Sequence, residues 1–218
     1  MRGALHPTLP DVAAGPARSI ALVMTRYVED TQGQLNGTRS MMAPYGRTRH
    51  PDGFRSLSVY ASTDGEHLLS YAQWSDVWSF REFQSTTPGD RNEEFAEPVP
   101  YELYRSRTFD DVGPPRLLVA PTFDVDGPNR QRTVADTLLD GALGRPIPGL
   151  AGSHFHLSLD GTRVLNWARW TSEQAHEAFM RSDVPEECFR SITMPGVRGI
   201  GGKRYILVDQ ITATELPS

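Results

Sequence analysis

The sequence predicts an α+β protein built from two tandem ferredoxin-like modules, each with the element order β-α-β-β-α-β, packed sheet to sheet as an intrachain dimeric α+β barrel. Three observations predict this class. The chain repeats itself, each repeat reads as a hairpin followed by a helix, and further apolar runs flank each hairpin. The predicted domains are a flexible arm over residues 1–18, a first module over 19–110 and a second module over 111–218.

The repeat has a spacing of 96 residues, the distance from Gly53 to Gly149. Residues 53–83 align without a gap with residues 149–179. The identical pairs are Gly53/Gly149, Ser62/Ser158, Asp64/Asp160, Gly65/Gly161, Leu69/Leu165, Ala72/Ala168, Trp74/Trp170 and Phe83/Phe179. Self-similarity at a fixed spacing indicates that one supersecondary unit occurs twice.

Local signals predict the elements of each module. An Asp-Gly pair between alternating apolar runs is a strong hairpin signal, and Ser75-Asp76 and Thr171-Ser172 offer N-caps for the helices that follow. Strands are also predicted at 20–28, 101–109, 117–125 and 205–211, and helices around 35–42 and 133–143. A linker is predicted at 110–115 and an extra polar loop at about 86–100.

The predicted element order leaves one face of each sheet bare, because both helices of a ferredoxin-like module cover the other face. Two modules in one chain satisfy this need by packing their sheets together. Association of two such chains into a homodimer stays open.

Composition excludes several classes of function. With 38% hydrophobic and 22% charged residues, the chain is typical of a soluble globular protein. The net charge is −5 and the basic residues are scattered, so nucleic acid is not an expected partner. We find no apolar run suited to a signal peptide or a membrane span, and the single Cys188 fits a reducing compartment, so we expect a cytoplasmic protein without a membrane partner.

Each module contains an Asp-Gly pair, then a short strand that ends in YAQW or NWARW, and then a polar helix start. This arrangement resembles the antibiotic biosynthesis monooxygenase family, and most of all its anthrone-type members from aromatic polyketide pathways. Those proteins carry Asn-x3-Trp, an aromatic hydroxyl six residues after the Trp and an Arg about twenty residues after it. Asn166, Trp170 and Arg190 match this pattern, and His176 stands at the hydroxyl position. In the first module only Trp74 is kept, so its site is degenerate.

The resemblance implies an oxygen-dependent oxidation of a polycyclic phenol, hydroquinone or anthrone, with a small aromatic polyketide as substrate. It implies molecular oxygen as co-substrate, no metal and no tightly bound cofactor. Reduced flavin stays open as a helper, because tandem members resemble the oxygenases that open the B ring of angucycline intermediates.

The four matching residues have chemistry that suits such a reaction. On a strand, Asn166 and Trp170 lie on the same face and flank Ala168, which leaves room for a flat ring. His176 is the expected base, because its ordinary pKa lies near neutrality. Asn166 is expected to donate its amide N–H, Trp170 to stack and donate, and Arg190 to stabilise phenolate charge.

Several alternatives stand beside these assignments. His154 and His156 are expected to line the substrate cavity or the seam between sheets, and a metal held by three imidazoles is disfavoured. Trp74 is either a cavity wall or a core residue. Arg190 has an alternative partner in Glu186, and the glycines at 196–202 are expected to form a loop.

Two other functions fit the same chain. One is a non-catalytic binding or assembly protein for a polyketide intermediate. The other is haem degradation, which requires a histidine where this chain has Met180.

Overall fold

The structure is a computed structural model that describes residues 7–13, 19–45, 50–86, 98–182 and 186–213. The chain forms two compact units. The N-terminal unit comprises Gly15–Tyr101 and Leu207–Ser218, and the C-terminal unit comprises Met1–Ala14 and Glu102–Ile206. Each unit combines strands with helices, which confirms the α+β class. The packing of two modules against each other, and the module bounds at 19–110 and 111–218, stay predictions.

The described strands are β1 Ile20–Tyr27, β2 Phe54–Ser62, β3 His67–Trp74, β4 Val99–Thr108, β5 Leu117–Val119, β6 Thr122–Val125, β7 Leu150–Ser158, β8 Arg163–Trp170, β9 Val197–Gly201 and β10 Arg204–Thr212. The helices are α1 Thr31–Met42, α2 Val77–Thr86, α3 Pro128–Asp136, α4 Glu173–Arg181 and α5 Glu186–Thr193. A 3-10 turn spans Ala43–Tyr45, and a π-helix, Thr137–Ala142, continues α3. Within the described residues, no helix combines the length and the apolar character needed to cross a membrane.

In the N-terminal unit, β2, β3 and β1 are neighbours in antiparallel register. The end of β10 lies beside β2, where the N–H of Ala213 donates to the carbonyl of Arg55. Asp30 caps α1 through the N–H of Gly33 at 2.8 Å. The polar loop predicted around 86–100 lies mostly outside the described residues.

In the C-terminal unit, β7 pairs with β4 and β8, and β8 also pairs with both β5 and β6. The strand predicted at 117–125 is broken at Ala120 and Pro121, because proline lacks the N–H that a continuous ladder needs. The prediction of a loop through the glycines is wrong for Val197–Gly201, which form β9 against β6.

The repeat is confirmed by matching hydrogen bonds that the sequence alignment did not reveal. A buried glutamine in the first helix of each unit holds the hairpin of that unit. Gln34 donates to the carbonyls of Ser62 and His67, both at 3.0 Å. Gln131 donates to the carbonyls of Ser158 and Arg163 at 3.0 and 2.8 Å.

Residues 7–13, predicted as part of a flexible arm, are packed in the structure. Leu9 and Val12 are buried, and the N–H of Leu9 donates to the carbonyl of Pro115 at 2.9 Å. Arg169 contacts the carbonyl of Pro10 and the carboxylate of Asp11. Apolar burial and these polar contacts hold this part of the arm on the C-terminal unit.

The core of the C-terminal unit lies between its helices and one face of β7 and β8. On the strands it contains Phe155, Val164, Ala168 and Trp170, and the helical side chains packed with it include Val134, Leu138 and Leu139. We call this side of the two strands the helix face. Because side chains alternate along a strand, the neighbouring residues of β7 and β8 point to the opposite face.

Gly149 lies in the turn that leads into β7 and packs against the start of α4, where its carbonyl accepts from the N–H of Thr171. Its φ is +80°, and a Cβ at this position would overlap the Cβ of Ala175. We expect Gly149→Ala to lower the free energy of unfolding by about 3 kcal/mol, because left-handed backbone strain and overpacking act together. Urea unfolding measures this loss.

Two glycines provide controls for Gly149. Gly113 has the same φ of +80° in open space, so Gly113→Ala isolates the backbone cost of about 1 to 2 kcal/mol. Gly199 has open space and no positive φ, so Gly199→Ala is expected to change stability by less than about 0.5 kcal/mol. Equal losses at all three positions would contradict this account.

Candidate active site

Trp170 is the last residue of β8 and is 3% exposed. The edge of its ring meets His176 at a centroid distance of 5.1 Å and an interplanar angle of 71°. Phe179 contacts the same ring at 5.4 Å. The indole Nε1 is buried and has no hydrogen-bond partner among the described residues. Trp74 Nε1 in the N-terminal unit is likewise buried without a partner among the described residues, so the Trp170 N–H becomes a candidate ligand donor only together with the polar side chains beside it.

Asn166 lies on the same strand, four residues before Trp170, with Ala168 between them on the helix face. Its backbone N–H donates to the carbonyl of Pro121 at 2.9 Å. The hydroxyl of Ser153, which is fully buried, donates to Asn166 Oδ1 at 2.6 Å. Because Oδ1 accepts from Ser153, the Nδ2 group of the amide points away from Ser153. It has no acceptor among the described residues, so it is available to donate to a ligand.

His176 lies on α4, one turn after the N-cap Ser172. Its Nδ1 accepts a hydrogen bond from Arg204 Nε at 3.0 Å. Partial burial, followed by the positive charge of Arg204, lowers the pKa of His176 below its ordinary value, against the opposing charges of Glu173 and Glu177. This arrangement does not suit the predicted role of general base, because the Nδ1 lone pair is occupied and protonation is disfavoured.

Arg190 lies on α5 with a side chain that is 61% exposed, and its Nη2 pairs with Glu186 Oε1 at 3.0 Å. The alternative predicted from the sequence, an ion pair one helical turn apart, is therefore present. The structure brings Trp170 and His176 into contact and places Asn166 on the same face of β8, four residues before Trp170, while Arg190 stays in this exposed pair.

His154 and His156 are on the opposite face of β7, and both are 0% exposed. The strand register shows this placement, because Asn166 pairs with Phe155 and His154 pairs with Trp167. Nδ1 of His154 lies 2.9 Å from the hydroxyl of Ser106, and Nδ1 of His156 lies 3.1 Å from the carbonyl of His154. The structure does not bring these two histidines to the face that carries Asn166 and Trp170, and their alternative place at the seam between sheets stays a prediction.

Trp74, in the N-terminal unit, is fully enclosed. The aromatic rings within 6.3 Å of its centroid are Tyr45, Phe54, Phe80 and Phe83. Phe80 stands where the second repeat has His176, and Ser70 stands where it has Asn166. This packing matches the core role predicted as the alternative for Trp74. The N-terminal unit has neither an asparagine nor a histidine at the positions that match Asn166 and His176.

The structure also indicates residues that the sequence did not single out. Ser153 orients Asn166, and Arg204 orients His176. The π-helix Thr137–Ala142 places Leu138, Leu139 and Ala142 in the core at the helix face. Segments of π-helix occur frequently at functional sites. The sequence analysis did not predict this one, because no sequence pattern signals an i to i+5 hydrogen bond.

Clefts and clusters elsewhere do not involve the predicted site residues. Surface clefts of about 300, 340 and 370 Å³ lie along residues 126–133, 26–40 and 44–86. Among the described residues, Asp64, Glu66 and His67 on the hairpin of the N-terminal unit form a group of three potential metal ligands, whose ligand atoms lie within 4.8 Å of one another. His154, His156 and His176 do not form such a group.

Comparison with known proteins identifies relatives of this chain. No protein-family profile matches it. The tetracenomycin-F1 monooxygenase of Streptomyces glaucescens is 37% identical over 73 residues, which are 31% of this chain and 65% of that protein. The match therefore spans just under two thirds of the relative.

Two solved structures are also similar. An anthrone oxidase-like protein has a TM-score of 0.73 at 20% identity, over 91% of this chain and 94% of its own. A monooxygenase of Streptomyces coelicolor, solved with the ligand nanaomycin D, is 30% identical over 48% of this chain and 94% of its own, with a TM-score of 0.35. The first of these likenesses shows that the chain has the same fold over nearly its whole length.

The sequence match and the shared fold together confirm the resemblance to the antibiotic biosynthesis monooxygenase family that the repeated motif predicted.

Proposed function

We propose that this protein is an oxygen-dependent monooxygenase that oxidises a polycyclic aromatic phenol, hydroquinone or anthrone at the helix face of the C-terminal unit. The observation that carries the proposal is a set of N–H groups without acceptors among the described residues. They belong to Trp170, which is buried, to Asn166, whose carbonyl oxygen is held by Ser153, and to His176, whose Nδ1 is held by Arg204.

Donors of this kind stabilise negative charge that develops during a reaction. In the proposed reaction an anthrone loses a proton to water and becomes an anion with its charge on oxygen. The anion gives one electron to molecular oxygen, and the resulting radical pair combines to a hydroperoxide. Loss of one water molecule then forms the new carbonyl. One oxygen atom enters the product and the other leaves as water, so no external reductant is needed.

The helix face also supplies the apolar surroundings that such an anion needs. Ala168 and Trp170 are buried among aliphatic and aromatic side chains, so the Trp170 N–H acts in a medium of low dielectric constant, and Asn166 and His176 are partly buried. A flat ring over Ala168 would lie between Asn166 and Trp170. Because both Ala168 and Trp170 are buried in the ligand-free structure, we expect substrate binding to shift the neighbouring helical side chains outward.

The relatives support this substrate class. One is a monooxygenase named for tetracenomycin F1, and another was solved with nanaomycin D. We propose a small aromatic polyketide as the substrate of this chain, molecular oxygen as its co-substrate, and no tightly bound cofactor.

Oxygen uptake with a tricyclic anthrone tests the proposal. We expect the wild-type protein to consume oxygen without added metal or flavin, and to place one atom of ¹⁸O from labelled oxygen in the product carbonyl. Trp170→Phe keeps the apolar ring but removes the indole N–H, and we expect it to lower turnover about 10²-fold.

Two outcomes would contradict the proposal. Tight binding of the anthrone without product under air would favour the binding or assembly protein instead. A strict requirement for added reduced flavin would contradict the cofactor-independent form of the reaction. Trp78→Phe is a suitable control, because Trp78 is exposed on α2 of the other unit.

A further inference from the structure

We propose that Arg204 is a positioning residue that holds His176 as the Nε2–H tautomer, so that His176 acts on the substrate as a hydrogen-bond donor. This inference rests on the proposed function for its role in catalysis, but the tautomer itself is a property of the ligand-free protein.

The direction of the hydrogen bond between Arg204 and His176 fixes the tautomer. A guanidinium group carries only donors and does not lose its proton in proteins. Because Arg204 Nε lies 3.0 Å from His176 Nδ1, the ring nitrogen must present its lone pair to Arg204. A neutral imidazole has one N–H, which therefore sits on Nε2.

The Arg204 side chain is itself held in place. Its backbone begins β10 and pairs with Val119 of β5. Its Nη1 contacts Glu173 Oε1 at 2.9 Å and Glu177 Oε1 at 3.4 Å, and both carboxylates belong to the helix that carries His176. The guanidinium is thus bonded to α4 at three points, which limits its freedom to release the imidazole.

The imidazole ring is constrained on a second side by Trp170. The two rings meet edge to face, at 5.1 Å and 71°. With Nδ1 held by Arg204 and the ring plane set by Trp170, the remaining polar atom is Nε2, which has no partner among the described residues. Its N–H joins those of Trp170 and Asn166 as a third donor.

The charges around His176 agree with a neutral ring. Partial burial and the adjacent guanidinium lower its pKa, while Glu173 and Glu177 oppose this effect. The deprotonated form is then the resident one at neutral pH. Held in this way, the neutral ring offers a donor at Nε2 and no free lone pair that could act as a base.

Nitrogen NMR on the ligand-free wild-type protein tests the tautomer directly. Labelled His176 is expected to show a protonated Nε2 and an unprotonated Nδ1, with roughly a tenfold or greater excess of this tautomer, because a hydrogen bond from a charged donor stabilises it. A dominant Nδ1–H tautomer would overturn the proposal without the need for any variant.

Variants of Arg204 test its control of the ring. We expect Arg204→Leu to mix the two tautomers and to raise the pKa of His176, since the guanidinium is lost and the two carboxylates remain. Arg204→Lys keeps the positive charge without the Nε geometry, so it should keep the pKa low and still lose the tautomer preference. An unchanged tautomer ratio in both variants would count against Arg204.

Activity separates this proposal from the proposed function. If the protein oxidises anthrones, Arg204→Leu should lower kcat about tenfold or more with a smaller change in KM while His176 is neutral. The loss should shrink as His176 gains a proton, because an imidazolium carries an N–H on both ring nitrogens. A protein without oxygenase activity but with the expected tautomer would contradict only the proposed function. The opposite result, activity with the wrong tautomer, would contradict only the role of Arg204.

Discussion

Asn166→Ala is expected to reduce oxygen-dependent turnover about 10²-fold to 10³-fold, the usual cost of removing one donor to a developing oxyanion. The physical reason is the fixed direction of the amide. Ser153 donates to Oδ1 at 2.6 Å, so the Nδ2 group is presented to the ligand before it binds and needs no reorganisation. Steady-state oxygen uptake with an anthrone measures the effect, which should fall on kcat more than on KM.

Three variants sharpen the test of Asn166. Asn166→Asp keeps the shape but replaces the donor with a negative charge, so it should be at least as harmful as alanine. Ser153→Ala frees the amide to rotate, and a smaller loss of about tenfold is expected. Ser70→Ala changes the matching position of the N-terminal unit and should leave turnover unaltered. A loss of less than about threefold in Asn166→Ala would remove Asn166 from the proposed chemistry.

Local chemistry explains why much of the fold was predictable. The Asp160-Gly161 turn needs a left-handed glycine, and its φ of +80° is the conformation that the Asp-Gly signal predicts. The N-cap at Ser172 was likewise visible, and its side chain accepts from the N–H of Ala175. Each of these features depends on residues that are close in the chain, and a single sequence records such features well.

Long-range features were less accessible. Arg204 meets His176 across 28 positions, and no pattern in the sequence links the two. The ungapped alignment did not pair Gln34 with Gln131, because these two residues are 97 positions apart whereas the hairpins repeat at a spacing of 96. β9 was missed because glycines predict a loop unless a neighbouring strand offers partners, and here β6 does.

The register of the hairpin determines which face of β7 carries His154 and His156. Their residue types alone had suggested a place beside the substrate. The Asp160-Gly161 turn sets that register, which pairs Phe155 with Asn166. Directly paired residues share a face, so His154 and His156 had to point the other way. The residue types suggested a site, whereas the alternation of the strand decided where they lie.

The structure changes the role that the sequence predicts for His176. Histidine suggests a base because its ordinary pKa is near neutrality, yet here Arg204 occupies Nδ1 and the pKa is lowered. A set of donors around a substrate oxygen needs no base, since a substrate whose anion is stabilised loses its proton more readily. His176 can therefore take part in the proposed reaction as a donor, without acting as a base.

The buried pair His154 and His156 is expected to make the protein sensitive to acid. Burial and the charge of Arg169 lower the pKa of His154 to about 3, and burial lowers that of His156 to about 4. An unfolded histidine titrates near 6.5, so the unfolded state binds more protons below that pH and stability falls as pH falls. Between about pH 7.5 and pH 5 each histidine should remove about 2 kcal/mol from the free energy of unfolding.

Urea unfolding at the two pH values measures this loss, and a double variant assigns it. His154→Gln with His156→Gln removes both titrating groups, so about 4 kcal/mol of the pH dependence should disappear even if the variant is less stable at both pH values. Asp76, Asp140 and Asp160 have lowered pKa values, so protonation of these carboxylates weakens the fold only at more acid pH.

The pH dependence also separates the opposite face of β7 from the proposed site. If the double variant loses as much stability between the two pH values as the wild type, the two imidazoles are not held neutral by burial. If it loses the pH dependence of stability but keeps oxygen uptake, the two histidines act on the fold alone. The geometry favours this second result, because the strand separates them from Asn166 and Trp170.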